Sequence, residues 1–179
     1  MYNMTGIRVA HLRQATLTGV DPHGQGKLPL ASVESVLNYD SLVGVASLSS
    51  YLPLLRAQVH SLEGRPDLAL ALYEEHIREA TAHQGQSHLE GYLLADRAWC
   101  LVDLGRIEEG LAGAAQAEHC LDAETQPDER AATRSRLAQI HARAGNAELA
   151  EHHRAIADES WRQYVGLQER IVTSLSDID

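Results

Sequence analysis

No stretch of this chain approaches the run of about 20 apolar residues that a bilayer-spanning helix requires. Its start, MYNMTGIRVAHLRQ, lacks the uninterrupted apolar segment of a signal peptide. Neither membrane insertion nor secretion is expected, and the sequence reads as cytoplasmic. Positive charge is scarce as well. Fifteen Lys and Arg stand against 25 Asp and Glu, a formal net charge of -10. A surface that acidic repels phosphate backbones and anionic lipid, so neither nucleic acid nor a membrane is expected as a partner. Cysteine is limited to Cys100 and Cys120. Both fall within helical patterns, where a thiol behaves as a small apolar group, so they read as reduced and structural.

Motifs that carry chemistry are missing too. HExxH, the GxSxG elbow and the phosphate loop G-x-x-x-x-G-K-S/T do not occur, and HGQGK lacks the strand-to-helix context of a phosphate loop. Ten histidines raise the question of a metal. Glu148 with His152, and His76 with His83, could each share a helix face, but a metal site ordinarily takes three or four convergent ligands, and nothing in the pattern supplies the rest. His60 and His141 stand four residues before equivalent glycines and read as structural core histidines. Cys100 on a packed helix is a poor nucleophile. The expectation is a non-enzyme without metal or cofactor.

What is present is a chain of 179 residues, 44% apolar, enough for one domain with a core of its own. It repeats itself. Set RAQVHSLEGRPDLALALYEEHI above RAWCLVDLGRIEEGLAGAAQAE and LAQIHARAGNAELAEHHRAIAD, and Gly64, Gly105 and Gly145 fall in register, 41 and 40 residues apart. Seven residues before each glycine stands alanine (Ala57, Ala98, Ala138). Five after it stands a small residue again (Ala69, Gly110, Ala150), and twelve after it come His76, Ala117 and Ala157. Two helices joined by a tight turn approach closely only where side chains are small. Glycine ends the first helix because it adopts the left-handed C-cap conformation without a Cβ penalty.

In these features the chain resembles the tetratricopeptide repeat family, whose unit is a helical hairpin with small residues flanking a glycine-containing turn. The likeness covers residues 48–160, three hairpins. It departs from the family pattern nine residues after the glycine, where a large residue is expected but only Tyr73 is large, against Ala114 and Arg154. It departs again early in the first helix, at Pro53 and Arg134. The period exceeds the usual length of about 34 residues and resembles longer variants in bacterial regulators. The resemblance implies an all-α fold, a right-handed α-solenoid of about three hairpins. A plain antiparallel helical bundle is the other arrangement the pattern allows.

Residues 1–28 combine IRVAHLRQATL with a Gly-rich stretch and carry Arg8, Arg13 and Lys27 against Asp21. They read as a mobile arm, opposite in charge to the body and able to occupy its groove. Residues 29–179 read as the repeat domain. A short helix is expected over 29–41, then helix pairs over 42–63 and 66–83, 87–104 and 107–121, and 127–144 and 147 onward. No breaker interrupts the apolar spacing after Gly145 except Gly166, so one long terminal helix is expected, about 45 Å if it runs 30 residues. It would cap the solenoid's open end, or pair with a second copy, or lead into an output module as in bacterial signalling proteins with similar repeats.

In this family the first helices of the hairpins line a concave groove. Counting 13, 10, 9, 6, 3 and 2 residues back from each glycine follows one helical face. The aromatic, charged and amide members of that face are Tyr51 and Gln58, then Tyr92, Asp96, Trp99 and Asp103, then Arg136, Gln139 and Arg143. These are the candidate partner-binding residues, for a protein or peptide segment of mixed charge. Tyr92 and Trp99 are equally suited to anchoring a partner or to packing between repeats. The Lys and Asn pattern by which some relatives clamp a peptide's terminal carboxylate is missing at these positions. The expected function is therefore a non-catalytic interaction scaffold. The alternative is a dimeric regulatory or sensor domain of a larger bacterial signalling protein.

Overall fold

A computed structural model describes residues 52–82 and 90–176. The expected arm, the helix over 29–41, the groove candidate Tyr51 and His83 lie outside the described residues. Six helices account for nearly all of what is described: α1 Leu52–Leu62, α2 Pro66–Ala82, α3 Glu90–Asp103, α4 Ile107–His119, α5 Pro127–Arg143 and α6 Ala147–Ser176. With no strand among the described residues, the fold is all-α.

The three tight turns share one hydrogen-bonding scheme. At the first, Gly64 N–H donates to Ser61 C=O and Arg65 N–H to His60 C=O; at the second, Gly105 to Val102 and Arg106 to Leu101; at the third, Gly145 to Ala142 and Asn146 to His141. This is the Schellman arrangement, which satisfies carbonyls that a helix end leaves without partners. It needs a left-handed residue, and the three glycines supply φ of 71°, 81° and 82°. The next helix begins at once: the carbonyls of Arg65, Arg106 and Asn146 accept from Ala69, Gly110 and Ala150. The α4–α5 connection is held differently. The Arg130 guanidinium donates to the carbonyls of Asp122 and Thr125, and Pro127 opens α5 with Asp128 and Glu129 in its first turn, favourable for the helix dipole.

Each turn folds its two helices against one another, so α1 packs on α2, α3 on α4 and α5 on α6, and α3 joins the pairs by meeting α2 on one side and α5 on the other. Small residues sit at the crossings. Ala57, Ala69, Ala98, Ala114, Ala117, Ala150 and Ala157 are all buried, and a Cβ on Gly110 would lie 3.0 Å from the Ala98 carbonyl oxygen. Two apolar clusters result. One gathers Leu54, Leu70, Tyr73, Leu93 and Leu101 from α1, α2 and α3. The other gathers Val102, Ala114, Leu137 and Ile140 from α3, α4 and α5. Helix α6 continues unbroken through Gly166 for 30 residues, about 45 Å. Its first half buries Ala150, His153, Ala157 and Ser160. Farther along, Val165 and Leu167 are exposed.

Candidate functional site

The C-terminal halves of α1, α3 and α5 line an open pocket of about 490 Å³. Ser61 and Leu62 line it from α1, Trp99 from α3, and Arg136, Gln139, Ala142 and Arg143 from α5. All seven belong to the face counted back from the glycines.

Three other candidate residues of that face have a different setting. Gln58, Tyr92 and Asp96 are buried and join a polar network inside the helix interface rather than lining the pocket. Gln58 Nε2 donates to the Tyr92 hydroxyl at 2.6 Å. Asp96 is the hub: its Oδ1 accepts from Arg136 Nε at 2.6 Å and its Oδ2 from the Tyr73 hydroxyl at 3.4 Å, a long bond for these groups. Arg136 spans both settings. It is only 7% exposed, yet it borders the pocket, donates from Nη1 to Gln139 Oε1 at 2.8 Å and lies 5.5 Å from the centre of the Trp99 ring, within cation–π range. Asp103 and Arg143 sit at the exposed rim, 3.9 Å apart.

Titration behaviour follows from burial. Tyr73 is held well above its ordinary pKa by desolvation, with the Asp96 charge adding to the effect. The Cys100 thiol is pushed up to about 12, first by burial and then by Asp96, with the Ser61 hydroxyl opposing. A thiol so shifted stays protonated at neutral pH and is no nucleophile.

A second polar cluster was not legible from the repeat pattern. Arg134 on α5 binds Glu118 of α4 at 2.5 Å and contacts Nδ1 of His153 on α6 at 2.9 Å. The His153 ring stacks on His141, centroids 5.1 Å apart and planes 12° from parallel. For Arg134 to donate, Nδ1 must be the unprotonated nitrogen. In keeping with that, burial lowers His153 to about 4 despite the pull of Glu118, and burial likewise lowers His141. Glu118 is also lowered: desolvation opposes the shift, but the bond from Arg134 and its charge prevail. Arg134 occupies a position where the repeat pattern places a large apolar residue. It replaces packing with a charge that ties three helices, and only its departure from the pattern could have drawn attention to it. Among the described residues, no group of three His, Cys, Asp or Glu side chains is placed to hold a metal ion, and no helix is long and apolar enough to cross a membrane.

The chain matches no family model, no curated protein and no solved structure.

Proposed function

We propose that the chain is a short right-handed solenoid of tetratricopeptide-like hairpins, working in the cytoplasm as a non-catalytic scaffold that holds a protein or peptide segment across α1, α3 and α5. The observation that carries this reading is the pocket itself. Its lining comes from the counted face on three alternate helices, α1, α3 and α5, as expected of a surface built by repetition. Trp99 is half-buried there, so an incoming segment meets a large aromatic surface already held in place, which lowers the ordering cost of association. The long α6 covers α5 as a terminal cap in this reading.

Panning a random dodecapeptide display library on the immobilised protein tests it. Peptides should be enriched on wild type and lost on the Trp99→Ala, Gln139→Ala double variant, with circular dichroism used to check folding. Enrichment that ignores these substitutions, or none at all, overturns the groove reading. A second reading is favoured by one observation, the exposure of Val165 and Leu167 on the distal half of α6: a regulatory domain that dimerises through that helix. Sedimentation equilibrium decides it. A dimer that becomes a monomer on Val165→Glu, Leu167→Glu supports dimerisation, and a monomeric wild type rejects it.

A further inference from the structure

We infer that the pocket between α1, α3 and α5 is a binding site for a small organic acid, a planar monoanion carried on a compact apolar body. This goes beyond peptide capture, because the pocket's own chemistry is one-sided. None of its lining residues is a carboxylate, and two are arginines, in a protein whose net charge is -10.

Arg136 is the built part of the site. Its Nε is held by Asp96 at 2.6 Å and its Nη1 by Gln139 at 2.8 Å, with Trp99 beneath the guanidinium. Nη2 has no hydrogen-bond partner among the described residues and is left to donate. A nearly buried guanidinium held on two sides loses little freedom when it takes up a carboxylate, which matches its planar geometry. Gln139 has spent its carbonyl oxygen on Arg136, so its amide nitrogen is again a donor. Arg143 supplies a second cation at the mouth, its side chain 60% exposed and 3.9 Å from Asp103. Leu62, Ala142 and Trp99 supply apolar wall.

The charge balance selects the ligand. Asp96 already neutralises Arg136, and Asp103 partly offsets Arg143, so the site has room for one negative charge rather than a phosphate dianion. Its volume of about 490 Å³ lies in the range of small-molecule pockets, roughly 300–1,000 Å³.

The test uses the full chain labelled with ¹⁵N and follows its two indole N–H signals, from Trp99 and Trp161, while 3-phenylpropionate is added. The Trp99 signal should shift saturably and the Trp161 signal should stay in place as an internal control. The neutral isostere 3-phenylpropanamide should bind at least tenfold more weakly, as should 3-phenylpropionate to Arg143→Gln, a rim substitution that leaves the buried network intact. An amide that shifts Trp99 as well as the acid does, or no saturable shift at all, overturns the inference. A third probe, acetyl-Leu-Glu-Leu-amide, separates the two sources of a carboxylate. Binding of this peptide without binding of the free acid rejects the small-molecule site and leaves peptide capture standing. Binding of the free acid by a protein that enriches no displayed peptide supports the inference and removes the scaffold reading.

Discussion

Asp96 and Arg136 are both more than nine-tenths buried, and their worth to the fold depends on their being together. Bringing two opposite charges out of water costs roughly what their attraction returns, whereas removing one partner strands the other. Asp96→Ala is therefore expected to destabilise the protein by about 3–5 kcal/mol, measured by urea denaturation. Asp96→Leu combined with Arg136→Met should recover most of that loss. If the single substitution costs under about 1 kcal/mol, the pair is not desolvated as described. Trp99, Gln139 and Arg143 were placed on one face by counting alone, and they do border one pocket. That Gln58, Tyr92 and Asp96 of the same face are buried was not readable. Exposure along a helix depends on how closely its neighbours approach, which no intrahelical spacing encodes.

Two kinds of glycine act at the level of the elements. Gly105 is required by the backbone, since its φ of 81° disfavours any side chain by about 1–2 kcal/mol. Gly110 is required by packing: a Cβ there would run into the Val102 side chain and the Ala98 carbonyl where α4 crosses α3. Gly110→Ala should improve helix propensity and yet cost about 1–3 kcal/mol through overpacking. A thermal melt that rises instead would mean that α3 and α4 can separate without loss. Both glycines were visible in the sequence as a repeat, although only the structure separates their reasons.

The α4–α5–α6 contact predicts a pH dependence. His153 is 2% exposed and titrates at about 4 when folded, below the ordinary value of about 6.5. Between these two values the unfolded chain holds more protons than the folded one, so stability falls as pH drops from 6.5 to 4 and this contribution levels off below 4. The loss is on the order of 3 kcal/mol. Glu118, lowered in the folded state, adds a loss of the same sign at lower pH. Urea midpoints between pH 7 and 4 should show this slope, and His153→Gln should flatten it. An unchanged slope in the variant would move the effect elsewhere.

For the whole molecule, the uneven distribution of contacts sets an order of local stability. Helix α3 contributes to both apolar clusters, while most side chains described beyond Trp161 on α6 are exposed. Native-state amide exchange should be slowest in α3 and fastest in residues 165–176, because local opening follows the amount of buried surface lost. Protection of 165–176 matching that of α3 would require a partner on that stretch, such as a second copy.

The sequence by itself determined where the three glycine turns fall and that helices flank them. A left-handed glycine, Pro127 at a helix start and an unbroken apolar spacing are local instructions read from neighbours within one turn. It also determined which side chains share a face. The tertiary structure alone decided which of those side chains remain open to a ligand and which close into the Asp96–Arg136 network. It alone decided that Arg134 would draw Glu118 and His153 together. These outcomes depend on distances between helices that are remote in sequence, and those distances are set by the summed fit of small residues at every crossing.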